Sequence, residues 1–176
     1  MEYITNYDSP IGNITIASDG ENITGLWFDS QKPSDEVLAA NYESCDKQKP
    51  LLPIFDQTRK WLDIYFAGND PGFTPPIKVN DSPFRKRVCE IMLEIPHGKT
   101  TTYGKIAKQV AEEKGIEKMS AQAVGGAEGH NPISIIIPCH RVVGSDGSLT
   151  GYTGGIDIKV KLLELEGVYE QAISKK

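Results

Sequence analysis

Cysteine is scarce in this chain: three residues out of 176, at Cys45, Cys89 and Cys139. The number is odd, the spacing is wide and no CxxC pair occurs, which argues against a disulfide framework and a structural zinc site. Long apolar runs are missing as well. None approaches the roughly 20 residues that a bilayer-spanning helix requires, so no membrane span is expected. The opening MEYITNYDSP has neither a basic n-region nor an apolar h-region, so no secretory signal is expected. Internal repeats and low-complexity tracts are absent, and basic residues are not in excess, with 19 Lys+Arg against 24 Asp+Glu. What remains is ordinary globular composition, 39% hydrophobic and 24% charged, expected of a reduced, cytoplasmic protein.

The net charge of -5 is unevenly spread. Residues 1–79 carry 6 Lys+Arg and 12 Asp+Glu, a balance of -6; residues 80–176 carry 13 and 12, a balance of +1. The acidic excess therefore belongs to the first half, and DNA binding through the second half stays open.

Patterning divides the chain in the same place. Tyr3–Thr5, Asn13–Ala17 and Ile23–Phe28 are short β-rich runs punctuated by PIG and DGEN, which predicts an antiparallel meander. Gln31 to Pro50 is polar. Phe55, Trp61, Leu62, Tyr65 and Phe66 then recur on one helical face, with Gly68 as the stop. NDPGFTPP (69–76) reads as a linker, so the expected domains are 1–76 and 77–176. In the second half Ser82 caps a helix with proline at its first position. Thr101 or Thr102 caps a second helix from Tyr103, and Ser120 caps a third, AQAVGGAEG. Two short helices joined by a turn suggest a helix-turn-helix. A β-like run from Ile133 to Val143, a hairpin turn at 145–148 and a final helix capped by Asp157 complete the expected winged arrangement.

Cys139 lies in IIIPCHRVVG, followed by His140 and Arg141, groups able to favour a thiolate. In an extended strand, neighbouring side chains point to opposite faces, so Cys139 and His140 could meet directly only if the chain bends. A water bridge, with His140 oriented by a carboxylate, would satisfy both constraints. Adjacency alone fits equally well a packed strand cysteine beside a surface His–Arg pair.

The longer string AVGGAEGHNPISIIIPCHRVVGSDGSLTGYTGG (123–155) resembles the signature of the O6-alkylguanine-DNA alkyltransferases. The resemblance extends through SPFRKRVCEIMLEIPHGKTTTYGKIA upstream, KLLELEG downstream and YDSPIGNITIASDGENITGLWF at the N-terminus. It implies an α+β protein: a small antiparallel-sheet, ribonuclease H-like N-terminal domain followed by a winged helix-turn-helix DNA-binding domain. It also implies suicide repair, in which Cys139 attacks the alkyl carbon on guanine O6 in duplex DNA and keeps the group, without a cofactor or a metal. O4-alkylthymine is a second candidate substrate, and a monomer is the default.

By that pattern His140 deprotonates Cys139 through a water, Glu166 orients His140, and Asn131 holds the loop and stabilises the thiolate. Tyr103 presses on the phosphate 3′ of the lesion and donates to the flipped base. The carbonyls of Cys139 and Val142 accept from the guanine amine, the Thr153 N–H donates to O6, and Tyr152 lines the pocket. Gly151, Gly154 and Gly155 admit the base, while Ser134 is a pocket-wall position. The helix with Ala121, Gln122, Ala123, Gly125 and Gly126 enters the minor groove. Arg85, Lys86, Arg87, Lys105 and Arg141 are candidate DNA contacts. One position departs from the pattern: many members carry an intercalating arginine where this chain has Gln122. A non-catalytic lesion sensor, a winged-helix regulator and a cysteine hydrolase are the alternatives. A sensor of that kind typically replaces the reactive cysteine and often lacks an N-terminal domain, and both are present here.

Overall fold

The computed structural model describes residues 2–45, 52–147, 149 and 155–169. Two compact units account for them: Met1–Asn80 with Pro132–Ser134, and Asp81–Asn131 with Ile135–Lys176.

The first unit begins with strands β1 (Glu2–Ser9), β2 (Gly12–Ser18) and β3 (Ile23–Phe28), as the β-rich runs predict. The tight turn at 10–11 and the DGEN turn make consecutive strands antiparallel neighbours, with Tyr7 opposite Ile14 and Ile16 opposite Leu26. The polar stretch after them is not featureless. Ser34 accepts from the Val37 N–H and starts helix α1 (Asp35–Asn41), which leads into β4 (Tyr42–Ser44). β4 pairs in parallel with β1, giving the sheet order β3-β2-β1-β4. Helix α2 (Pro53–Phe66) lays Phe55, Trp61, Leu62 and Tyr65 into the core. Polar contacts also tie it to β1: the Tyr7 hydroxyl donates to Asp63 at 2.6 Å, and Arg59 donates to Thr5 Oγ1 at 3.0 Å and to the Asn6 carbonyl. Pro76, at the end of the expected linker, accepts from Ile23 N–H, and Ile77 bridges Ile23, so this end is part of the sheet.

The second unit packs α3 (Pro83–Leu93), α4 (Tyr103–Lys114) and α5 (Ala121–Glu128) together. Each starts on the side chain that the sequence nominates: Ser82, Thr102 and Ser120 accept from the N–H three residues on. Strand β5 (Thr101–Thr102) runs directly into α4 and pairs in parallel with β6 (Val142–Val143). Helix α6 (Ile156–Leu165) closes the unit, and Val143, Leu163 and Val168 form a small core beneath it.

Three expectations fail here. The run 133–143 is not a strand. Apart from β6 and a single bridge at Ile133, it is buried coil and turn, with Cys139–Arg141 forming one 3-10 turn. Its apolarity reflects burial on all sides, which periodicity cannot separate from a buried strand, and Pro138 has no N–H for a ladder. Second, Asp157 does not cap α6; it sits in the first turn, and Gly155 is the N-cap, at φ 100° where glycine is favoured. Third, the expected hairpin has no antiparallel partner among the described residues. Its turn is seen at 145–147, and Ser148 lies outside them.

Candidate active site

The 3-10 turn resolves the geometric objection raised by the sequence. The chain bends after Pro138 instead of running on as a strand, so the rule that neighbours face opposite sides no longer holds for Cys139 and His140, and both side chains are buried. The Asn131 amide donates to Cys139 Sγ at 3.2 Å and to the Ile137 carbonyl at 3.0 Å. One side chain therefore both faces the sulfur and pins the loop that carries it. An amide donor at this distance stabilises a thiolate more than a thiol.

His140 is held from the other side. Its Nε2 lies 2.5 Å from Glu166 Oε2, with both side chains fully buried. The carboxylate places the proton on Nε2, leaving Nδ1 as the basic nitrogen of the ring. Burial pushes the His140 pKa below its ordinary 6.5 and outweighs the pull of Glu166, with Arg141 and Lys159 adding in the same direction as burial. The neutral imidazole, the form a base must take, is thereby favoured. For Glu166 burial opposes ionisation, but the hydrogen bond from His140 and the Arg141 charge prevail and hold the carboxyl well below the usual range.

Arg141 corrects an expectation. Read as a DNA contact, it is in fact 8% exposed, donating through Nε to Glu166 Oε1 at 2.7 Å and through Nη1 to the Ile95 carbonyl at 2.7 Å. Desolvating a cation is tolerable only beside such partners, and both donor groups are thereby committed inside the protein. Gly98 N–H adds a donor to the same carboxylate oxygen at 3.3 Å. Glu166 therefore gathers three segments of the second unit: the 95–98 corner, the 3-10 turn and the end of α6.

Lys159, which sequence reasoning missed, is fully buried. Its ammonium donates to the Val142 carbonyl at 2.7 Å, approaches the Tyr103 hydroxyl at 3.4 Å and lies 5.7 Å from that ring's centre. A signal was available: Lys159, Leu162, Leu163 and Glu166 stand at i, i+3, i+4 and i+7, one face of α6.

The remaining candidates divide. Tyr103 opens α4 and is half-buried. Ser134 is fully buried, belongs to the first unit and donates to Gln31 Oε1 at 3.1 Å. Ala121, Gln122 and Ala123 are exposed on the first turn of α5, and Gly125 is half-buried behind them. Arg85 is partly exposed and paired with Asp81 at 3.3 Å. Arg87 is engaged by Glu113 and Glu90. Lys86 and Lys105 are exposed. Gly151, Tyr152, Thr153 and Gly154 lie outside the described residues. Among those described, no cluster of His, Cys, Asp and Glu could hold a metal ion. Burial raises the Cys89 pKa to about 11, aided by Asp81 and Glu90, so that thiol is a poor nucleophile.

A sheet unit joined to a helical unit with a buried cysteine at its centre is the class that comparison with known proteins also recovers. The family description "6-O-methylguanine DNA methyltransferase, ribonuclease-like domain" matches residues 3–79, and "6-O-methylguanine DNA methyltransferase, DNA binding domain" matches residues 83–168. The chain is 40% identical over 167 residues to a methylated-DNA–protein-cysteine methyltransferase of Haemophilus influenzae, covering 94% of this chain and 87% of that one. The protein of the same name from Mycobacterium tuberculosis is 41% identical, with 94% and 93% covered. Among solved structures, the M. tuberculosis O6-methylguanine methyltransferase superposes with a TM-score of 0.79 at 37% identity, over 100% of this chain and 95% of that one. Its complex with DNA gives 0.79 at 37% identity, over 98% and 96%. A Methanococcus jannaschii O6-methylguanine DNA methyltransferase gives 0.60 at 28% identity, over 93% and 92%. The chain belongs to the 6-O-methylguanine DNA methyltransferase family.

Proposed function

We propose that this protein repairs O6-alkylated guanine in duplex DNA by moving the alkyl group irreversibly onto Cys139, one group per molecule. The observation that carries the reading is the pair of contacts around one 3-10 turn: Asn131 Nδ2 at 3.2 Å from Cys139 Sγ, and His140 Nε2 at 2.5 Å from Glu166 Oε2. Neutral His140 takes the thiol proton through a water, Glu166 stabilises the imidazolium that forms, and Asn131 stabilises the thiolate. The sulfur then attacks the alkyl carbon in line. The S–C bond forms, the C–O6 bond breaks, and guanine leaves with the electron pair and is reprotonated. A thioether is not hydrolysed in water, so the cysteine is consumed.

The target carbon is inaccessible inside a stacked duplex, so the base must be extruded. Helix α5 suits a groove. An added Cβ at Gly125 or Gly126 would meet nothing within 4 Å, so packing inside the protein does not require glycine there, although each costs the helix roughly 0.5–1 kcal/mol relative to alanine. Two helix glycines without an internal reason support close approach by an external surface, here the minor groove, with Gln122 beside them filling the gap left by the extruded base. Tyr103, Val142, Tyr152, Thr153 and Gly154 are the proposed contacts to the base and its pocket, and Arg85, Lys86 and Lys105 the proposed phosphate contacts.

The reading is tested by counting guanines restored when O6-methylguanine duplex is in large excess. Repair should plateau at one lesion per protein molecule; continued turnover would contradict it.

A further inference from the structure

The outer edge of β3 is covered by a distant piece of chain. Leu26 N–H donates to the Pro132 carbonyl and Ser134 N–H to the Leu26 carbonyl, both at 3.0 Å, so residues 132–134 lie along β3 in parallel. A side chain locks the pairing: Gln31 Oε1 accepts from the Ser134 hydroxyl and from Phe28 N–H, each at 3.1 Å. All of this lies within the first unit.

The next residue is Ile135, at φ 70°, the only non-glycine residue with positive φ among those described. A β-branched residue is strained in that region and stays there only when its flanks over-determine the turn. The Ser134 anchorage is one flank. The other is Asn131, bonded directly to Pro132, whose amide grips the Ile137 carbonyl and faces Cys139 Sγ.

We propose that Gln31 is a positioning residue for the nucleophile: by fixing Ser134 it holds the strained turn at Ile135, and through that turn the Asn131 amide against the Cys139 sulfur. The inference rests on Cys139 being the nucleophile. In this proposal Gln31 acts through the loop and takes no part in the chemistry itself. Without its hydrogen bond the amide samples other positions, the thiolate loses a donor, and the thiol ionises at higher pH.

Methyl iodide tests this without DNA. The thiolate displaces iodide, forming S–CH3 as C–I breaks, and peptide mapping separates Cys139 from Cys45 and Cys89. Methylation rates would be measured against pH for the wild type, Gln31→Leu, Ser134→Ala, their double variant and Ser134→Thr. Gln31→Leu and Ser134→Ala should each lower the rate at neutral pH about three- to ten-fold, the scale of one lost hydrogen bond. They should do so by moving the pH midpoint upward while the alkaline plateau is kept. The double variant should be no slower than the slower single one, because one contact is lost once, and Ser134→Thr should restore the wild-type profile. Unchanged midpoints, or single effects that simply add, would overturn the proposal. If Gln31→Leu fails to fold, the comparison of Ser134→Ala with Ser134→Thr decides it. A wild type whose Cys139 reacts with methyl iodide but not with O6-methylguanine DNA would refute the repair reading and leave these profiles to judge the positioning role.

Discussion

Arg141 Nε stands 2.7 Å from Glu166 Oε1 while His140 Nε2 stands 2.5 Å from Oε2 of the same carboxylate. The two residues that follow the cysteine are thus held by one buried anion, which fixes the imidazole's tautomer and direction together. Arg141→Met removes the guanidinium and leaves Glu166 with an incomplete set of partners. The expected cost is about 3 kcal/mol, as for breaking a buried pair, read by urea unfolding, with the salt dependence of DNA affinity unchanged. Normal stability with weaker, less salt-sensitive DNA binding would restore Arg141 as a phosphate contact.

Acid should act on this cluster from below neutrality. The folded His140 binds its proton less readily than an unfolded histidine does. As pH falls below about 6.5, the unfolded chain therefore takes up a proton that the folded one refuses, and stability declines. The depressed carboxyl of Glu166 adds a second loss as pH falls below its ordinary 4.5. Thermal melts should show Tm falling between pH 6.5 and 5, with a flatter profile over that interval for His140→Gln. A wild-type Tm that stays level across it would mean that folded His140 takes up its proton as readily as an unfolded histidine does.

Gly126→Ala should separate folding from binding. Nothing among the described residues obstructs the new methyl group, so α5 should gain roughly 0.5–1 kcal/mol, while affinity for duplex DNA falls because the backbone no longer approaches as closely. Tighter binding together with higher stability would remove α5 from the interface.

Gln122 is exposed on the first turn of that helix. Glutamine can hydrogen-bond an orphaned cytosine but lacks the charge and stacking plane of a guanidinium. Gln122→Arg should therefore repair O6-methylguanine faster than the wild type in single-turnover kinetics. Equal or slower repair contradicts the assignment of this position.

Local signals were legible in the sequence because their physics is local. Ser82, Thr102 and Ser120 cap helices through contacts three residues away, and the meander follows from its turns. The neighbourhood of Cys139, His140, Asn131 and Glu166 was legible only through the resemblance, since spacing alone placed Cys139 in a strand and left its link to His140 unresolved. Arg141 was misread because a cation beside a DNA-binding motif looks the same whether it faces solvent or a buried carboxylate 25 residues away. The Gln31–Ser134 contact spans 103 residues, and no periodicity reports a pairing that folding alone creates.

The most direct measurement is the intact mass of the protein after incubation with duplex DNA carrying one O6-methylguanine, followed by peptide mapping. The account predicts a single added methyl group on Cys139, none on Cys89, and no addition in Cys139→Ala. Unmodified protein bound tightly to the lesion, or methylation at any other residue, would contradict it.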